Sequence, residues 1–238
     1  MLRKRSRLKI ICFDRSSIDI SFYQESYYQQ LASQIKLMAN GGFVNFIGFS
    51  IGTHIALEVS AFLNDEIINI HLISAAAPIK ADDFIDNMAG RFIFKLAMER
   101  PLLFRLLTKY QGMMALLAPR ILLNMLFAGS KGKDKELIKL RYFRNYITPM
   151  LRSFFHNRAN GYMRDINLYV TWEGNLSRHT SRVHLWHGTE DNWCPISMAS
   201  YLCHEIPGAT CVEVMEGLSH YSCLFSAAPK VCAQLEKI

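Results

Sequence analysis

The sequence predicts an α/β protein: a mainly parallel, doubly wound sheet of about five strands, interrupted by a helical insertion. Three observations carry this. Short apolar runs rich in β-branched residues alternate with segments whose apolar positions recur every three to four residues. One long stretch, residues 80–174, holds helical patterns and no strand run. The 238 residues, half hydrophobic and a fifth charged, suit one large domain with its own core.

Each element has a local reason. Residues 8–13 (LKIICF) form a continuous apolar run of strand length, which predicts a buried first strand. Residues 27–39 place apolar side chains at 31, 35 and 38, and Gly41-Gly42 stops that helix. Residues 43–49 (FVNFIGF) predict a second strand, and residues 51–63 a helix with apolar positions at 51, 55, 59, 62 and 63. Residues 67–75 (IINIHLISA), 182–186 (RVHLW) and 210–215 (TCVEVM) complete the strands. Residues 196–205 and 228–238 predict the last helices. Strands alternating with helices favour parallel pairing.

The insertion reads as several helices broken at Pro101, Pro119, Gly129 and Pro149, with GSKGKDK at 129–135 as its most flexible loop. The expected organisation is therefore a core built from residues 1–79 and 175–238, with residues 80–174 as a helical lid inserted in it.

The formal charge is +7. Residues 80–173 hold 16 Lys and Arg against 8 Asp and Glu, so the whole basic excess falls in the insertion. Its charges alternate with apolar residues and follow no nucleic-acid recognition motif, which argues against nucleic acid. Basic residues on its outer face (Arg91, Lys95, Arg105, Lys109, Arg120) suit contact with anionic lipid. No window of 18 apolar residues exists, which excludes a membrane-spanning bundle. The six cysteines include no C-x-x-C pair and sit mostly in apolar runs, pointing to reduced thiols and a cytoplasmic location. The basic start, MLRKRSRLK, reads as a solvated lead-in to a strand. No histidine pair has metal-ligand spacing and no Gly-rich phosphate loop is present, so neither metal nor cofactor is expected.

One motif carries chemistry. Gly48-Phe49-Ser50-Ile51-Gly52 ends a predicted strand and opens a predicted helix. A serine on such a turn is lifted above the sheet edge, its backbone strained and crowded, so small flanking residues are needed. The helix start beneath it favours a developing oxyanion, and the backbone N–H of Ile51 is one candidate donor. A serine nucleophile needs a base and a group that orients the base. His220, in EGLSHYS after the last strand, fits the base. Asp191, in WHGTEDNWCP after RVHLW, fits the acid, with Glu190, Asp82 and Asp83 as alternatives. All three groups then sit at the carboxyl ends of parallel strands, where sites gather in open α/β sheets.

These three motifs, in this order, resemble the α/β-hydrolase superfamily in its lid-bearing branch of esterases, lipases and small-ester or C–C hydrolases. GFSIG resembles the nucleophile elbow, LWHGTEDNWCP the strand-seven acid motif and GLSHYSCL the final histidine motif. The resemblance runs from about residue 8 to the C-terminus. It implies Ser50 as nucleophile, His220 as base, Asp191 as orienting acid, and a lid pocket for a small apolar or aromatic ester-type substrate. DRSSIDIS matches a turn that usually carries glycines, where Ser17 and Asp19 stand here. The family's first three strands and its His-Gly oxyanion loop are not expected, because too few residues precede that turn. The expected activity is cleavage of a carboxylic ester or related acyl bond. The alternative is a catalytically weak or inactive binding module.

Overall fold

The computed structural model describes residues 8–15, 18–63, 66–155 and 159–236. Most of the basic lead-in and Ser17 lie outside the described residues. The chain runs α1 (Glu25–Ala39), β1 (Val44–Phe49), α2 (Gly52–Ser60) and β2 (Ile67–Ile73). Six helices follow: α3 (Arg91–Glu99), α4 (Pro101–Leu117), α5 (Pro119–Leu126), α6 (Asp134–Leu137), α7 (Arg141–Phe155) and α8 (Ala159–Val170). The sheet then resumes with β3 (Arg182–Gly188), α9 (Ile196–Glu205), β4 (Glu213–Met215) and α10 (His220–Leu235).

The four strands pair in the order β1-β2-β3-β4, all parallel. Alternation divides their side chains between two faces. Ile70 and Leu72 of β2 and Val183 and Leu185 of β3 join the larger core with Leu57 of α2 and Met198 and Leu202 of α9. Ile73 and Trp186 point the other way and pack with Cys223, Ala227 and Val231 of α10. The parallel order requires each crossover to bring the chain back to the same end, so the carboxyl ends of β1, β2 and β3 lie side by side.

The sheet has four strands where five were expected. Residues 8–13 form no strand; Ile10 and Ile11 are exposed, and only Phe13 packs on the core. A continuous apolar run satisfies the local requirement for a strand but supplies no neighbour to pair with. The outer edge of β1 accordingly has no strand partner among the described residues, and Phe43 and Ile47 are exposed beside it. β4 is also shorter than its apolar run. Residue 209 makes only an isolated bridge to Val183 before the strand proper starts at Glu213.

Proline acts in two ways. Pro101 and Pro119 open α4 and α5 at the first turn, where a missing N–H costs nothing. Pro149, expected to break the insertion, lies inside α7, which continues on both sides of it. No helix among the described residues is long and apolar enough to cross a membrane.

Candidate active site

Ser50 sits between β1 and α2 with φ +56°, a left-handed conformation that costs a non-glycine residue about 1 kcal/mol or more. Its backbone is pinned on both sides. Its N–H donates to Ile73 O (3.2 Å), and its carbonyl accepts from Thr53 N (3.0 Å) and Ala76 N (3.3 Å). The neighbouring glycines differ in purpose. A Cβ at Gly48 would meet Leu72, Ala56 and the Gly52 carbonyl at 3.0–3.3 Å, so glycine there lets α2 lie close on β1. A Cβ at Gly52 would meet only Arg15 Nη1, at 3.9 Å, so crowding does not explain that position. Ile51 follows with helical angles (φ −61°, ψ −15°), and its N–H is among the donors that a helix start leaves unpaired.

Asp191 and His220 meet directly. His220 Nδ1 donates to Asp191 Oδ2 at 2.8 Å. The other carboxylate oxygen, Oδ1, accepts the backbone N–H groups of Trp193 (2.9 Å) and Cys194 (3.0 Å). Burial pushes the Asp191 carboxyl up, but His220 and the Cys194 N–H outweigh it and hold it below the usual carboxylate value. The carboxylate is thus kept ionised and fully bonded, a state that can fix an imidazole tautomer. The imidazole is enclosed by aromatic rings: Trp193 stacks on it at 5.6 Å and Phe49 lies at 4.7 Å. Phe49 adjoins Ser50, so the imidazole stands beside the strand end that carries the serine.

The structure brings Asp191 and His220 into contact and leaves Ser50 one step away. Among the described residues, no hydrogen bond joins the Ser50 hydroxyl to His220. Its partner is Cys194 Sγ at 4.0 Å. Burial raises the Cys194 thiol well above its ordinary value, so at neutral pH it stays protonated beside the hydroxyl. Of the other candidate acids, Asp82 and Asp83 are exposed and Asp82 Oδ1 accepts from Asp83 N. Glu190 is exposed, and its backbone N–H donates to Leu218 O at 2.9 Å.

Three further residues support the site. Ser74, also left-handed (φ +48°), ends β2. Its N–H donates to Trp186 O (2.9 Å) and its hydroxyl to His220 O (3.1 Å), tying β2 and β3 to the histidine. His187 is buried and neutral, because burial lowers its pKa, and its Nε2 contacts the Cys194 carbonyl at 2.8 Å. Asp134, fully buried, reaches in from the insertion. Its carboxylate accepts Tyr221 N (2.9 Å) and Ser222 N (2.7 Å), the first-turn donors of the helix that begins at His220.

Asp134 belongs to the 129–135 segment, which the sequence marks as a flexible loop. Instead that segment lies across the two loops carrying Asp191 and His220. Lys133 N donates to Gly217 O (3.1 Å) and Asn192 Nδ2 to Gly129 O (2.8 Å). Gly132 fits so closely that a Cβ would stand 2.7 Å from Glu190 Cβ and 2.8 Å from Gly217 O. Asp134→Ala is expected to destabilise the protein by about 2 kcal/mol, because a buried helix cap is lost and two N–H groups are orphaned. Chemical denaturation checks this: a midpoint equal to wild type would show that water caps α10 equally well.

The sequence matches no family model and no curated protein. Solved structures do match in shape. A bromoperoxidase from Bacillus anthracis aligns over 90% of this chain and 73% of its own, at 16% identity and a TM-score of 0.60. An esterase from Exiguobacterium antarcticum aligns over 91% and 74%, at 19% identity and a TM-score of 0.55. MenH from S. aureus aligns over 90% and 77%, at 15% identity and a TM-score of 0.59. With its parallel sheet, its helices on both faces and these neighbours, the chain has the α/β-hydrolase fold.

Proposed function

We propose that the protein is a serine hydrolase that cleaves a carboxylic ester or related acyl bond. The observation that carries this is the Asp191–His220 hydrogen bond, formed beside a serine held in a left-handed turn at the neighbouring strand end. In this reading the Ser50 oxygen attacks the acyl carbon, and His220 Nε2 takes the hydroxyl proton. The Ile51 N–H stabilises the oxyanion, and His220 returns the proton to the leaving alcohol. Water, deprotonated by His220, then attacks the acyl-enzyme and releases the acid. Residues 80–174 act as the lid on a core of residues 1–79 and 175–238. Phe127 supports that placement, lying 5.6 Å from Trp193 and 5.3 Å from Tyr221 beside the histidine. These rings favour an apolar or aromatic acyl or alcohol group.

The test is labelling by a fluorophosphonate and turnover of a p-nitrophenyl ester, in wild type and Ser50→Ala. Labelling and turnover that vanish with the serine support the reading; labelling equal in both proteins overturns it. A second reading, a hydrolase-like binding module with little turnover, is favoured by one observation: the Ser50 hydroxyl neighbours Cys194 and is not hydrogen-bonded to His220. That reading expects neither labelling nor turnover.

A further inference from the structure

Helix α4 is apolar on two opposite sides. Phe104, Thr108, Gln111, Gly112 and Ala115 are buried against the rest of the insertion. Across the helix, Leu102, Leu106, Tyr110, Met113 and Leu117 recur at spacings of four, four, three and four, which places them on one stripe. All five are exposed; Leu102, Leu106 and Leu117 show 76%, 62% and 74% of their surface. The next helix exposes Ile121 and Met125. Single exposed leucines are ordinary, but a continuous stripe along a five-turn helix marks a surface that something covers.

The charge beside the stripe identifies what. From residue 100 to residue 133 the chain carries Arg100, Arg105, Lys109, Arg120, Lys131 and Lys133 and no acidic side chain. Arg105 and Lys109 lie on the helix flank next to the stripe, one turn apart. A second copy docked about a twofold axis would set this cationic face against itself, and like charges across an interface are repulsive. An anionic lipid surface satisfies both features at once: its acyl boundary takes the leucines and its headgroups take the cations.

We propose that the α4 stripe is a docking surface for an anionic membrane, on which the protein lies without crossing the bilayer. This goes beyond the hydrolase reading, and its test needs no turnover. The full chain would be sedimented with vesicles of phosphatidylcholine alone and with vesicles in which a third of the lipid is phosphatidylglycerol. Binding is expected to be stronger to the anionic vesicles and to weaken as salt rises. Leu106→Asp with Leu117→Asp should weaken it on the order of a hundredfold, since two apolar anchors are lost. Arg105→Gln with Lys109→Gln should cost roughly twentyfold, and only with the anionic vesicles. Near-UV circular dichroism should be unchanged in both variants, whose altered side chains are on the surface. Ser50→Ala should bind as wild type does, which separates this result from the fate of the catalytic reading. No binding to anionic vesicles, or binding unmoved by the leucine changes, overturns the proposal. So does a dimer in sedimentation equilibrium that the leucine changes dissolve, for then a second copy covers the stripe.

Discussion

Asp191→Asn is expected to lower ester turnover by about 10⁴-fold while the protein stays folded. The geometry gives the reason. The asparagine oxygen can keep the Oδ1 role, accepting from Trp193 and Cys194, whose N–H groups would otherwise be orphaned in a buried loop. That leaves its amide NH₂ facing His220 Nδ1. Two donors cannot share that bond, so the imidazole must present a lone pair at Nδ1 and carry its proton on Nε2. Nε2 is the nitrogen that would have to accept the Ser50 proton. The loss should fall on kcat and leave KM nearly unchanged, because in the proposed mechanism Asp191 orients His220 and does not touch the substrate. A fall of less than about tenfold would assign the orienting role to another acid, and Glu190→Gln would then be the next variant. The same depressed carboxyl makes a stability statement. Ionised Asp191 stabilises the fold above the ordinary carboxylate pKa, and that contribution is lost as pH falls through its lower folded value.

Stability should fall as pH is lowered from about 6.5 to about 4, and His54 shows why. His54 lies in the first turn of α2, completely buried, with Nδ1 2.6 Å from the Ile51 carbonyl. The rings of Tyr28, Tyr169 and Trp172 surround it, and among the described residues Nε2 has no partner. Protonation would put a second N–H into that ring cage with no acceptor. Burial therefore lowers its pKa to about 4. The sign follows from which state binds the proton. Between pH 6.5 and 4 the unfolded histidine is protonated and the folded one is not, so acid favours unfolding. Above 6.5 neither binds a proton, and the contribution is fully present. Across the window it amounts to about 3 kcal/mol, a large share of the 5–15 kcal/mol typical of a domain. His71 and His179, also lowered to about 4 by burial, act in the same direction. Urea midpoints measured across this range should drop steadily, and a flat profile would contradict the neutral-histidine account. A His54→Gln variant should start less stable and show a shallower slope.

Much of this was legible in the sequence because it is local. The strand runs at 43–49, 67–75 and 182–186 and the helix at 196–205 declare themselves within a dozen residues. Strand–turn–helix punctuation does the same for Ser50, and Pro101 and Pro119 for the helix starts. What could not be read is pairing between distant segments. LKIICF has strand chemistry, but strandedness requires a neighbour and no local signal supplies one. Asp134 lies in a Gly- and Lys-rich run that reads as a flexible loop; its partners, the N–H groups of 221 and 222, are far along the chain. The same holds for Cys194, whose nearness to Ser50 follows only from β1 and β3 ending at the same side of the sheet. Pro149 shows the converse: a strong local breaker overridden, because α7 buries Phe143, Ile147 and Phe155 on both sides of it.

The insertion between β2 and β3 also bears on how the molecule assembles. These strands form the middle pair of the sheet, yet more than a hundred residues separate Ile73 from Arg182. Closing so long a tether costs about 2 kcal/mol more than closing one of about ten residues, and that entropy must be spent before the strand pairing returns anything. Helices are the fastest elements to form, in about a microsecond or less. Once α3–α8 condense, the span between the strands shrinks to the neck of the insertion. There Tyr169 donates to the Ala77 carbonyl at 2.9 Å, and Gly174 packs against Pro78 so closely that no Cβ would fit. The helices that crowd the histidine in the finished protein thus shorten the tether, and the central strand pair is expected to form after they condense.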